Sequence, residues 1–209
     1  MALVITVAQQ KGGTGKTTLA ANIAAALAPG QRVALLDIDP QRTLMRWHAL
    51  RVARPTPAPV LSFSDVSGWR LATELDRLRR SHDVVVIDSP PQADTDAKLA
   101  VRGADIVLIP IQPSPPDVWA AEATLGLAAG EGRTARLVLN RVPTATRLRD
   151  AVRGDIAARG LPVLRSELGN RTGVALAFAA GLGIVEAEPR SAAASELRAL
   201  LAELQNLAG

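Results

Sequence analysis

The sequence predicts one α/β domain over residues 1–209, a mostly parallel twisted sheet with helices on both faces. Three observations predict it. Short apolar runs alternate with segments of helical spacing, the pattern of βαβ units joined by right-handed crossovers. The polar motifs that carry chemistry fall just after those apolar runs, where open α/β sheets bind ligands. The length of 209 residues with 48% hydrophobic content suits a single core.

Leu3–Ala8 reads as the first strand and Lys16–Leu27 as the first helix, which Pro29-Gly30 ends. Val33–Asp37 is a second strand, and Arg42–Val52 is helical. Pro55, Pro57 and Pro59 stiffen the connection to a short strand at Val60–Phe63. Leu71, Leu75 and Leu78 recur at helical spacing within Trp69–Arg80. Val84–Asp88 and Asp105–Ile111 are apolar enough to be buried strands. Pro110, Pro113, Pro115 and Pro116 are expected to rigidify the loop after the fifth strand, before a helix at Trp119–Ala129. Ala135–Asn140 is a sixth strand, Leu148–Arg159 a helix and Val163–Leu164 a short strand. Helices at Val174–Ala180 and Ser191–Leu207 complete the chain.

Composition narrows the chemistry. The chain has no cysteine, which excludes disulfides and thiolate metal sites. No apolar run reaches the roughly 20 residues that span a bilayer, and the first eight residues have no basic segment of a signal peptide, so a cytoplasmic protein is expected. Aromatic content of 2% leaves few platforms for base stacking. The net charge is +4.

Residues 9–18 read Gln-Gln-Lys-Gly-Gly-Thr-Gly-Lys-Thr-Thr, directly after the first strand. Gly12, Gly13 and Gly15 let backbone N–H groups close around phosphates without a Cβ in the way. Lys16 neutralises phosphate charge, the Thr17 hydroxyl suits Mg²⁺, and Thr14 and Thr18 complete the cradle at a positive helix N-terminus. This is the phosphate loop of a P-loop NTPase, with one departure. Gln10 stands where the ordinary loop has its first glycine, and a second lysine, Lys11, opens the loop. Lys11 is either a solvated surface lysine or a cation directed at the phosphates of a facing subunit. The 24 basic residues comprise three lysines and 21 arginines, and two of those lysines lie in this loop. In a chain so biased to arginine, an ammonium at the loop favours the second reading, because the two cations are not interchangeable.

Two strands end in aspartate, Asp37 in Leu-Leu-Asp37-Ile-Asp39-Pro-Gln and Asp88 in Val-Val-Val-Ile-Asp88-Ser-Pro-Pro. An Asp at the tip of a buried strand beside a phosphate loop is the Walker B arrangement that holds Mg²⁺, and Asp88 fits it best. Asp37 and Asp39 are two apart, so on a strand they share a face; if Asp37 lies near the magnesium shell, Asp39 can sit further out, where an attacking water would stand. The competing reading of both segments is turn chemistry, in which Asp caps backbone groups. Asn140-Arg141 ends the sixth strand, where the Asn amide either reads an adenine edge or caps the next turn.

The segments K-G-G-T-G-K-T-T, D-I-D-P-Q, V-I-D-S-P-P and I-P-I-Q-P-S-P-P-D resemble, in order over nearly the whole chain, the ParA/MinD superfamily of deviant Walker A ATPases. The proline-rich segment and the arginine-rich stretch after Asn140 are most like the small, ParF-like ParA partition proteins. The resemblance implies Mg²⁺-dependent hydrolysis of ATP to ADP by a homodimer that sandwiches the nucleotide. In it Lys11 reaches the other subunit's phosphates, while Lys16 and Thr17 hold the cis phosphates and metal. Asp39 positions the water, Asp88 is the Walker B acid, and Asp37 is an acidic position beside the metal. It also implies nucleoid association through nonspecific DNA, slow turnover until a ParB- or ParG-like partner stimulates it, and a plasmid, chromosome locus or protein cluster as cargo. No N-terminal helix-turn-helix extension is expected. The last segment, Ser191–Gly209, is poor in basic residues, so a MinD-like basic membrane helix is not expected and membrane or protein-surface recruitment is the alternative. A metabolic kinase or ligase would not need Lys11, and a filament-forming scaffold is compatible with the dimer.

Nine arginines fall between Arg133 and Arg171. Arg147, Arg149, Arg153, Arg165 and Arg171 are the candidate DNA contacts, since guanidinium groups can track phosphates without reading bases. The alternative is a solvated helix face. Arg42, Arg46, Arg51 and Arg54 form a second basic cluster, placed to meet an activating partner.

Overall fold

The computed structural model describes residues 2–66, 68–91, 95–144 and 146–208. Seven strands, β1 (Leu3–Val7), β2 (Val33–Asp37), β3 (Ser62–Asp65), β4 (Val84–Asp88), β5 (Ile106–Ile111), β6 (Thr134–Val142) and β7 (Val163–Gly169), form one sheet in the order β3-β2-β4-β1-β5-β6-β7. Every pairing is parallel. The strand order reverses around β1, so the loop that follows β1 opens at the switch point where such sheets bind ligands.

Nine helices are seen among the described residues. Alternation along the central strands sends side chains to opposite faces. Ile5, Val7, Leu35, Val86 and Leu108 meet α1 (Lys16–Leu27), α2 (Thr43–Val52), α7 (Thr172–Ala179), α8 (Ile184–Ala187) and α9 (Ala192–Ala208) on one face. On the other, Val4, Leu36 and Ile87 pack on α3 (Gly68–Ser81) and α4 (Thr95–Gly103), while Val107, Ile109 and Leu139 pack on α5 (Pro115–Gly130) and α6 (Thr146–Ala158). The α9 helix spends its apolar stripe inside the protein, with Leu197, Leu200, Leu201 and Leu204 buried. Among the described residues no helix is long and apolar enough to cross a membrane.

Several boundaries differ from the sequence expectation. The third strand is Ser62–Asp65, while Val60 lies outside it and exposed. The α4 and α8 helices were not anticipated. Pro110 lies inside β5, and α5 begins at Pro115. A proline at the first helical position removes only an N–H that has no partner there anyway. The seventh strand extends to Gly169, beyond its apolar start.

The second basic cluster is only partly a surface: Arg42 and Arg46 are exposed, Arg54 is half-buried and Arg51 is inside. Arg51 is buried, donates to both carboxylate oxygens of Glu186 at 2.6 and 2.8 Å and to the carbonyls of Gly181 and Pro59, and lies 5.5 Å from the Trp47 ring centroid. Arg42 pairs with Asp65, and Arg54 donates to the Ala180 carbonyl. These residues tie α2 to its surroundings and to the segment before α8.

Candidate nucleotide site

The phosphate loop is held open by its neighbours. Gly13 and Gly15 take φ of +79° and +92°, a region that glycine enters without strain. The Gly13 carbonyl accepts from Gln112 Nε2 at 3.1 Å and from an Arg141 guanidinium nitrogen at 3.2 Å. The Thr14 carbonyl accepts from Asn140 Nδ2 at 2.8 Å. Side chains after β5 and at the end of β6 therefore bind the loop's carbonyls. Asn140 Oδ1 also accepts the Arg141 N–H at 3.0 Å. Each end of the Asn140 amide thus makes one bond that braces the loop and the turn after β6, and the side chain also lines the cavity beside the loop.

Beside the loop lies a cleft of about 210 Å³ lined by Gly12, Gly13, Gly15, Lys16, Thr17 and Thr18 from the loop, with Asp39, Gln41, Thr43, Pro91 and Arg141 facing them. A second cavity of about 160 Å³ shares Gly15, Thr18 and Arg141 with it. Its walls include Leu168, Val174, Ile184 and Leu197, with the polar groups Asn22, Asn140, Asn170 and Glu196. The pair forms one site with a cationic, N–H-rich end and an apolar end, which matches a triphosphate and a base. The apolar end was not anticipated from sequence, because its walls come from β7, α7, α8 and α9.

The acidic residues divide by how their oxygens are used. In register, Asp37 of β2 stands beside Asp88 of β4. Asp37 is fully buried and accepts the backbone N–H groups of Asp39 at 3.1 Å and Met45 at 2.9 Å. Burial raises its pKa to about 6, against those bonds. It stands beside Asp88, but both its oxygens already serve the β2–α2 turn. Asp88 is fully buried, and neither of its oxygens has a hydrogen bond of ordinary geometry. Burial pushes its pKa up to about 8, opposed by the nearby Thr17 hydroxyl. An orphaned buried carboxylate beside a threonine hydroxyl fits a divalent cation. Among the described residues no three His, Cys, Asp or Glu side chains gather to hold a metal unaided. That fits Mg²⁺, which takes one or two protein oxygens and completes its shell with phosphates and water. Asp39 lies beyond the end of β2, where its carboxylate accepts the Gln41 N–H at 2.9 Å and faces the cleft. Lys16 is buried, with Nζ 3.5 Å from the Lys11 carbonyl. Burial lowers its pKa, while Asp88 and Asp39 act to raise it.

Lys11 is in the loop but does not line the phosphate cleft. Its ammonium pairs with the buried carboxylate of Asp117 at the start of α5. Nothing in the sequence around Asp117 marks it as a partner of Lys11, which lies 106 residues away. The available signal was Ser114-Pro-Pro-Asp117, which reads first as a helix start.

The candidate DNA-contacting arginines are only partly free. Arg149 pairs with Asp150 and Glu167, Arg153 with Glu167, and Arg171 with Glu196. Arg147 and Arg165 are exposed, and among the described residues neither forms an ion pair.

The parallel sheet with its loop after β1, and the two-ended cleft at that switch point, define a P-loop nucleotide-binding protein. The chain belongs to the CobQ/CobB/MinD/ParA nucleotide binding domain family, whose profile matches residues 5–184. It is 32% identical over 215 aligned positions to maintenance of carboxysome distribution protein A of Halothiobacillus neapolitanus, covering 97% of this chain and 96% of that one. Its fold is similar to that of apo McdA from Cyanothece, with a TM-score of 0.80, 17% identity and complete coverage of both chains. It is similar again to the septum site-determining protein MinD complexed with Mg-ADP from Pyrococcus horikoshii OT3, with a TM-score of 0.77, 20% identity and coverage of 100% and 98%. The expected fold class and superfamily both hold.

Proposed function

We propose that this protein is a Mg²⁺-dependent ATPase that dimerises around ATP, holds nonspecific DNA in that state, and so distributes a cargo. The observation that carries the reading is the two-ended cleft beside a loop whose second lysine points away from its own phosphate pocket. Lys16 and the loop N–H groups hold the phosphates, and the apolar cavity holds the base. Thr17 and Asp88 would hold Mg²⁺, which when bound neutralises phosphate charge. Asp39, fixed by its bond to the Gln41 N–H, accepts a hydrogen bond from the attacking water and orients it. Lys11 supplies its charge to the facing subunit's phosphates.

The cargo we favour is a large protein assembly. The support is a relative similar over nearly the full length that is named for carboxysome distribution. A plasmid or chromosome locus is the other cargo of this reading, and a cargo-bound protein stimulates turnover. DNA is preferred to a membrane as platform because α9 buries its apolar face. The test is binding to random-sequence duplex DNA with ATP, with ADP and without nucleotide, across a salt series. Binding that needs ATP, weakens with salt as counterions compete and disappears in Lys11→Ala is expected. Turnover of ATP with no DNA binding under any nucleotide would remove the DNA platform.

A further inference from the structure

Asp117 is among the least exposed carboxylates of the protein, at 1%, yet it sits beside the loop that has to face a second molecule. It has three donors. Ser114 Oγ lies 2.5 Å from Oδ2, the Gln112 N–H 3.2 Å from Oδ1, and the Lys11 ammonium meets Oδ2. Gln112 and Ser114 form the short connection between β5 and α5 that leads directly into the first turn of α5, where Asp117 lies. The carboxylate is therefore fixed by its own segment and does not depend on Lys11 for its place. Gln112 also holds the Gly13 carbonyl, so the connection touches the phosphate loop at Gly13 while Asp117 meets it at Lys11.

Lys11 is arranged the other way. Its side chain remains 41% exposed, and its anchoring contact is Asp117. A lysine has four rotatable carbons and three N–H donors on its ammonium. Left unanchored, it samples many rotamers. Anchored on Asp117, it stands outside its own cleft with two donors to spare.

We propose that Asp117 is the positioning residue for Lys11. Its buried carboxylate holds the ammonium on the outer rim of the loop, turned from the cis nucleotide and presented to a second copy of this chain. This rests on the reading of Lys11 as the lysine that acts across the dimer. Asp117 itself touches no nucleotide atom in this scheme and acts only through Lys11.

The test is Asp117→Asn, which keeps the shape and an acceptor for the Gln112 N–H and removes the charge. Two quantities are measured in parallel, monomer affinity for a fluorescent ATP analogue and the protein concentration at which ATP drives dimerisation. The expected result is retained nucleotide affinity with the dimerisation midpoint moved about tenfold higher, the loss of one charge-assisted contact. A merely structural role would lower nucleotide affinity as well. An unchanged or lower midpoint would overturn the proposal, and so would a parallel loss of nucleotide affinity. Lys11→Ala separates the two levels. Normal ATP dimerisation in that variant sinks the cross-subunit role and this proposal with it, whereas loss of the dimer there with none in Asp117→Asn sinks this proposal alone. Should Asp117→Asn fail to fold, amine labelling of the native protein decides. With three lysines in the chain each is resolved by mass. Lys11 is expected to react several-fold more slowly than Lys98, and equal rates would refute its anchoring.

Discussion

Asn140 Nδ2 donates to the Thr14 carbonyl at 2.8 Å, joining the end of β6 to the phosphate loop across 126 residues of sequence. The same nitrogen lies 2.6 Å from where a Cβ on Gly15 would stand. One side chain thus both supports the loop and fills the space that only a glycine leaves. Asn140→Ala is expected to weaken nucleotide binding by about tenfold, the size of one buried hydrogen bond with its unmade partner. Gly15→Ala should do worse, because φ is +92° and the added carbon meets that amide. Isothermal titration with ATP and Mg²⁺ checks both. Wild-type affinity in Gly15→Ala would show that the loop reshapes freely.

The proposed role of Asp39 is to act on water without holding the phosphates. Its carboxylate faces the cleft from the turn after β2, while the loop and Lys16 make the phosphate pocket. Asp39→Ala is expected to bind ATP and dimerise, yet lose at least about a hundredfold in turnover, the usual contribution of a positioned acid–base group. Single-turnover hydrolysis measures this directly. Turnover at the wild-type rate would remove Asp39 from its role.

The Arg51–Glu186 pair makes a separate prediction about stability. Arg51 is 5% exposed and Glu186 is its carboxylate partner. Removing one member of a buried pair leaves the other charge uncompensated, at about 3 kcal/mol or more. Glu186→Gln should lower the unfolding free energy by that amount in urea titration while leaving ATP affinity unchanged, since neither residue lines the phosphate cleft. A loss below about 1 kcal/mol would indicate that water reaches the guanidinium.

Glu74 sets an acid limit. It accepts from Arg77 at 2.6 and 2.9 Å and from the Ser64 hydroxyl, tying α3 to the edge strand β3. The Arg77 hydrogen bond above all holds its pKa at about 2, below the ordinary 4.5. A depressed carboxyl contributes stability that is present above the unfolded-state value and is lost as pH falls from about 4.5 toward 2. Glu74→Gln should flatten that part of the stability profile by roughly 1 kcal/mol or less, as exposed pairs contribute little. Urea midpoints measured between pH 2 and pH 6 would show the two curves converging at the acid end.

The central strands were legible because a strand buried on both faces is apolar throughout, as in Val84–Ile87. The edges were not. β3 reads Ser-Phe-Ser-Asp and β7 ends Arg-Ser-Glu-Leu-Gly, so register with a neighbour defines them where hydropathy does not. The α4 helix buries only Ala97, Ala100 and Val101, too small a stripe to mark its period. In the site, the loop and both strand-tip aspartates were readable because spacing along the chain carries their chemistry. The roles of Asn140 and Asp117 were not, since each depends on a partner more than 100 residues away.

That same limit applies to the arginines. Density along the chain marks Arg147 to Arg171 as one basic stretch, but charge in space is what a phosphate backbone meets. Glu167 faces both Arg149 and Arg153, and Glu196 faces Arg171. An arginine already paired has to give up its carboxylate to take a phosphate, and the carboxylate left behind repels the DNA. Arg147 and Arg165 form no ion pair among the described residues, although Glu203 accepts the Arg165 backbone N–H and lies near its charge. Replacing both with alanine is expected to weaken ATP-dependent DNA binding about tenfold and to reduce the salt slope by roughly two. The Arg149→Ala/Arg153→Ala pair should cost distinctly less. Fluorescence anisotropy with a random duplex at several salt concentrations distinguishes them. If the second pair weakens binding more than the first, the ion pairs open on DNA and the paired arginines are the contacting ones.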